Sequence, residues 1–235
     1  MTDRSRSLLF FTLTAVALWF LSNFALSYLT TDSTSFGIYW PRHKWVYAHI
    51  IGGMAALLLG PAQLLLGLNR TNVLMHQILG GMYVFGVAIG GTAGLYLAIH
   101  TDFGWMFGIS FAAMACAWLV STMLATIAIC RRFVQQHHEW MIRSYVVTFG
   151  FVTFRILVFA FDVTKTGTMV ERMTAASWLS WSVPLLVTEW ILQGRKILGS
   201  PASEVQFRDV NACNVVLDPA EFDLQSSESS YLHRQ

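Results

Sequence analysis

Six runs of about twenty apolar residues, joined by short polar stretches, constrain this chain more than any other feature. A helix needs about 20 mostly apolar residues to cross the hydrocarbon core of a bilayer. Backbone in lipid must also satisfy its own hydrogen bonds, which makes such a run helical. The runs cover residues 8–29, 45–68, 77–99, 105–130, 141–161 and 173–192. The joints between them are too short to fold as domains. The expectation is an all-α polytopic bundle of six transmembrane helices over residues 1–193. A polar tail, 194–235, follows with Ser226, Ser227, Ser229 and Ser230 near its end and is expected to be disordered.

Composition supports the membrane as solvent. Charged residues are 12% of the chain, hydrophobic residues 55%, and mean hydropathy is +0.53. A soluble domain carries about 25% charged residues to cover its surface. The same figures exclude a disordered chain and a nucleic-acid-binding module. The net charge of +2 names no partner beyond the bilayer. Cys116, Cys130 and Cys213 have no disulfide or metal spacing. There is no Gly-x-Ser-x-Gly motif, phosphate loop or Cys/His cluster, so a soluble hydrolase, a nucleotide-binding loop and a zinc site are unsupported.

The first run raises a separate question. Arg4 and Arg6 precede it, and Ala25-Leu26-Ser27 loosely matches a signal-peptide cleavage site. Its length exceeds the 7–15 residues of a signal-peptide core, so it is expected to stay as a span. Lys and Arg in the joints then set orientation. Arg4, Arg6, Arg70, Arg131, Arg132, Arg195 and Lys196 fall on one side, and Arg42, Lys44, Lys165 and Arg172 on the other. The richer side is cytosolic, which puts both termini in the cytosol and leaves the sequon Asn69-Arg70-Thr71 bare. Trp40, Trp45, Trp105 and Trp140 sit at the run edges, where amphipathic rings prefer to lie. In the third run Gly86, Gly90 and Gly94 share one face, where a neighbouring helix or a flat ligand can come close. Ordinary helix packing is the simpler use of that stripe.

Polar side chains within or at the edges of the runs are costly in lipid and are therefore candidate sites. They sort into two layers. Towards the inner face lie Gln63, Arg70, His76, Tyr83, His137, His138, Arg143 and Glu189, and towards the outer face His49, His100, Arg155 and Asp162. Any one histidine at a helix end is explained by the comfort of imidazole at the interface. Two of them on different helices can supply both axial ligands of a haem, with Arg70 or Arg143 for the propionates. His49 with His100 is a weaker outer pair. His76 and His100 are about 36 Å apart along a helix, too shallow at both ends for a compact two-haem core. Arg155 needs a counter-charge, and Asp162, seven residues on, is one candidate. Glu189 and Arg143 lie at similar depth and can pair across helices.

The pattern His49…Gly60-Pro61-x-Gln63…Arg70…His76-x-x-x-Gly80-x-x-Tyr83 resembles the core of a bacterial and fungal membrane family, domain of unknown function 2306. So does the string His137-x-x-Trp140-Met141-Ile142-Arg143-Ser144, with Arg155 twelve residues on, and so does Thr188-Glu189-Trp190. The similarity spans about residues 45–193 and implies a compact helical bundle without implying a reaction. The family's histidines match His49, His76 and His137, which makes His76 with His137 the inner pair. By analogy of architecture, the arrangement is similar to cytochrome b-561-type bundles.

Three functions follow as expectations. The first is a redox component in which His76 and His137 bind haem b iron, Arg70 and Arg143 assist, and His49 and Arg155 form an outer site. The second is a haem-independent tailoring enzyme or accessory factor, cyclase- or isomerase-like, with Glu189 as proton donor or acceptor and Tyr83 beside it. The Ser-rich tail looks fungal, and the lipophilic intermediate would then belong to a fungal natural-product pathway. Partners in either case are membrane-bound redox or biosynthetic enzymes. Transport is third, because no internal repeat accompanies Pro61 and Pro184.

Overall fold

The computed structural model describes residues 3–26, 37–69 and 72–199. Among the described residues there are six α-helices and no strand. They are α1 (Asp3–Phe20), α2 (His43–Asn69), α3 (Val73–Ile99), α4 (Trp105–Cys130), α5 (Val134–Thr164) and α6 (Met169–Gly199). A π-helical turn, Leu21–Ala25, continues α1, and a 3-10 helix, Gly37–Arg42, leads into α2. The chain divides into two units, Met1–Glu189 and Trp190–Gln235. The described part of the second unit is the helical end of α6, so residues 194–199 are helix where tail was expected. The rest of the tail, Arg70 and Thr71 lie outside the described residues.

Five helical stretches are long and apolar enough to cross a membrane, namely Ser7–Phe24, Tyr39–Gly67, Val73–Ile99, Trp105–Cys130 and Val134–Thr164. At 31 residues α6 has the length but not the same apolarity. Ser177, Ser180, Ser182, Thr188 and Glu189 dilute it. Large apolar side chains such as Phe85, Ile78, Met82, Phe159 and Trp105 are exposed, as suits a surface that meets lipid tails.

The helix ends follow from local chemistry. The Asn72 side chain accepts from the Met75 N–H at 3.0 Å and caps α3. At α6, Thr168 and Glu171 form a capping box. The Thr168 N–H and hydroxyl donate to Glu171 Oε2 at 2.8 and 2.9 Å, and the Glu171 N–H donates back to the Thr168 hydroxyl at 3.4 Å. These bonds hold the exposed Glu171 carboxyl below its usual range.

Packing is closest where α2 crosses α3. A Cβ on Gly52 would stand 2.5 Å from the Gly86 carbonyl oxygen and 2.6 Å from the Gly90 nitrogen. The glycine stripe therefore joins two backbones, as small residues do in membranes. Pro61 inside α2 has no N–H to give the Leu57 carbonyl. The Tyr145 hydroxyl donates to that carbonyl at 3.4 Å instead. At the centre, Tyr83, Val87, Met114, Trp118 and Val147 form the main buried cluster.

Candidate functional site

A closed hydroxyl cluster sits within that core. The Tyr83 hydroxyl lies 2.7 Å from Ser144 Oγ and 3.0 Å from Thr148 Oγ1. Trp118 Nε1 donates to Thr148 Oγ1 at 2.8 Å, and Thr122 Oγ1 lies 2.7 Å from Ser144 Oγ. All five residues are buried. A buried hydroxyl without a partner is costly, and here each oxygen has one, so the cluster locks α3, α4 and α5 together. Tyr83, expected beside a catalytic acid, is held in this lock. Ser144 and Thr148 are four apart on α5, a polar pair in an apolar run that sequence reasoning passed over.

At one end of the bundle, where α2 and α4 finish and α3 and α5 begin, lie most of the residues assigned to the inner layer. Arg143 Nε and Nη2 each donate to a Glu189 oxygen at 2.8 Å, a fork that fits both carboxylate oxygens. Glu139 Oε2 is 3.9 Å from Arg143 Nη1, and the guanidinium carbon stands 4.6 Å from the Trp140 ring centre. Glu189 was expected as a proton donor or acceptor tuned by burial. It sits as the ion-pair partner of Arg143, with its side chain 39% exposed. The same pairing engages Arg143, the arginine expected to assist a haem.

The His76 and His137 rings do meet, edge to face, with centroids 6.5 Å apart. His137 Nδ1 lies 2.9 Å from the Ala125 carbonyl, and His76 Nδ1 is buried with no hydrogen-bond partner among the described residues. Gln63 Nε2 donates to the His76 carbonyl at 3.0 Å. Among the described residues no cluster of three metal-ligating side chains accompanies them.

The opposite end holds a cavity of about 410 Å³, within the range of small-molecule sites. Its walls are mostly Phe, Leu and Met side chains and glycine backbone from α1, the π turn, α2, α3, α4, α5 and α6, with Trp118, Tyr39 and Thr101 among them. Two strongly polar side chains line it, His49 and Arg155, the pair that sequence placed in the outer layer. His49 Nδ1 is 2.8 Å from the Gly90 carbonyl, and its ring stands edge-on to Phe151 at 5.3 Å. A Cβ on Gly94 would lie 2.8 Å from that Nδ1, so the glycine makes room for the imidazole. Arg155 stacks its guanidinium carbon 5.6 Å from the Phe24 ring centre and 6.0 Å from that of Phe154. Asp162 pairs with Arg172 at 3.4 Å, and Arg155 has no carboxylate partner among the described residues. His100 stacks on Tyr96, and its Nδ1 lies 2.8 Å from the Tyr96 carbonyl oxygen. Among the described residues it makes no ring contact with His49. Phe24 and Trp118 were not singled out from sequence, because aromatic residues in an apolar run carry no sign of which will face a cavity.

Long apolar helices and ionisable side chains gathered at two depths define an integral, multi-pass membrane protein. The family described as "Predicted membrane protein (DUF2306)" matches residues 46–192, more than half of the chain, and the chain belongs to it. No curated protein and no solved structure matches the chain. The comparison with cytochrome b-561-type bundles therefore has no structural match behind it.

Proposed function

We propose that this protein holds an amphipathic molecule with an anionic head inside the bilayer, in the cavity lined by His49 and Arg155. The observation that carries this reading is Arg155. An arginine within a span is costly, up to about 2.5–3.5 kcal/mol at the centre on insertion scales. Such residues face a bundle interior or cavity and pair with something. Arg155 lines a cavity, and among the described residues it contacts the rings of Phe24 and Phe154 and makes no hydrogen bond or ion pair. A ligand carboxylate or phosphate would supply the missing counter-charge, and the Phe and Leu walls would take an apolar body. This is the handling of a lipophilic intermediate expected from the sequence, moved from Glu189 and Tyr83 to His49 and Arg155.

The test is binding of an anthroyloxy-labelled stearate to protein in lipid nanodiscs. A charge-assisted hydrogen bond contributes about 1.5–3 kcal/mol, so Arg155→Gln should weaken binding about 10- to 100-fold. Arg155→Lys should fall between the two. Equal binding by wild type and Arg155→Gln would overturn the reading.

A second reading keeps haem b between His76 and His137, as a redox component. It is supported by the meeting of two imidazoles from separate helices. The Ala125 carbonyl orients His137 through Nδ1, the kind of support that haem and metal histidines use. The haem would supply one-electron chemistry, and the protein would supply the two neutral imidazoles. With Arg143 engaged by Glu189, a propionate would depend on other cations. A purified protein without a Soret band, or one whose spectrum survives both His76→Ala and His137→Ala, would end this reading.

A further inference from the structure

We infer that the same cavity is a proton-transfer site acting on a lipophilic carboxylate with a neighbouring ketone, with His49 Nε2 as base and Arg155 as oxyanion partner. The inference rests on the binding reading above. It follows from how His49 is held. A neutral imidazole has one N–H and one lone pair, and a backbone carbonyl only accepts. The 2.8 Å contact with the Gly90 carbonyl therefore places the hydrogen on Nδ1 and the lone pair on Nε2. Nε2 has no hydrogen-bond partner among the described residues, while the ring lines the cavity. An orienting acceptor on one ring nitrogen and an unengaged lone pair on the other are the arrangement that general-base catalysis uses.

The same cavity supplies the second group. Phe151 holds the His49 ring edge-on at 5.3 Å, and Arg155 follows Phe151 by four residues on α5. That is one turn, about 6 Å along the axis. A 2-oxo acid places its carboxylate and ketone oxygens side by side, where one guanidinium fork can bind both. In the proposed pose the carbon beyond the ketone faces His49, which lines the same cavity. Nε2 takes a proton from that carbon. The C–H electron pair becomes a C=C bond, and the carbonyl π pair moves onto oxygen, giving an enolate beside Arg155. The imidazolium returns the proton to carbon or to oxygen. No electrons leave the ligand and no co-reactant is needed. Apolar walls exclude competing water and strengthen the charge interactions.

Exchange of hydrogen for deuterium at C3 of 2-oxododecanoate, followed by proton NMR with the protein in nanodiscs in D2O, tests the inference. Wild type should accelerate exchange about 100-fold or more over empty nanodiscs, the usual span for a positioned base. His49→Gln and His49→Asn should abolish the acceleration while 2-oxododecanoate still displaces the anthroyloxy stearate. His49→Asn keeps an N–H for the Gly90 carbonyl, which guards against a folding defect. Arg155→Gln should lose both signals. Displacement without acceleration in wild type, or wild-type exchange in either folded His49 variant, would overturn the proton-transfer inference and leave the binding reading standing. Failure of 2-oxododecanoate and the stearate to bind wild type at all would overturn the binding reading itself.

Discussion

Replacing Glu189 by Gln separates a structural role from a catalytic one. The carboxylate accepts two bonds of 2.8 Å from Arg143, and Arg143 is only 8% exposed. At about 4 Å and an effective dielectric constant of ~20, two unit charges attract by about 4 kcal/mol before desolvation is counted. Removing one partner of a fully buried pair costs about 3–5 kcal/mol, whereas an exposed pair contributes about 0–1. This pair lies between those limits. The Glu189 side chain is 39% exposed, and Glu139 remains 3.9 Å from the guanidinium. A loss of about 2 kcal/mol is expected for Glu189→Gln. That lowers the folded-to-unfolded ratio about 30-fold and Tm by about 4–8 °C for a chain of this size. Thermal unfolding in detergent, read by tryptophan fluorescence, measures it. The double variant Arg143→Met with Glu189→Met leaves no uncompensated charge and should recover most of the loss. A Glu189→Gln protein as stable as wild type would refute the reasoning. So would a double variant whose loss equals the sum of the single ones.

Two further outcomes test the packing and the caps. Gly52→Ala should cost about 1–3 kcal/mol, because its new Cβ meets the backbone of Gly86 and Gly90. Gly81→Ala, with nothing within 4 Å of its Cβ, should not destabilise, and equal losses in thermal unfolding would contradict the close crossing of α2 and α3. The Glu171 carboxyl titrates below its ordinary range because Thr168 donates two hydrogen bonds to it. Its contribution to stability is thus full above the unfolded carboxylate pKa of about 4.3 and disappears as pH falls through the lower folded value. Glu171→Gln should reduce the drop in Tm between pH 6 and pH 3, and an unchanged drop would remove the capping box as its source.

The helical run at 105–130 was legible to the residue, and the run expected at 77–99 begins four residues earlier, at Val73, since a span announces itself by length and apolarity alone. The sixth run was legible as a helix, but its serines and Glu189 keep it from matching the others in apolarity. The grouping of polar side chains towards the two ends of the helices was also legible, because helical rise converts residue number into position along a helix. His49 and Arg155 were assigned to one layer, and the structure places both at one cavity. The partner of Arg143 was anticipated, whereas the enclosure of Tyr83 by Ser144 and Thr148 was not.

Composition and the length of the apolar runs settled the solvent and most of the helices, and a 1.5 Å rise per residue ordered the polar groups along each helix. Tertiary structure decided which groups of equal depth meet. That depends on how each helix is rotated about its axis and crosses its neighbours. A helix apolar on every side, as one buried in lipid must be, carries no polar face to signal that rotation. The pairing of Arg143 with Glu189, the burial of Tyr83 and the shared cavity of His49 and Arg155 are consequences of packing between helices, above all the close crossing at Gly52 and Gly90.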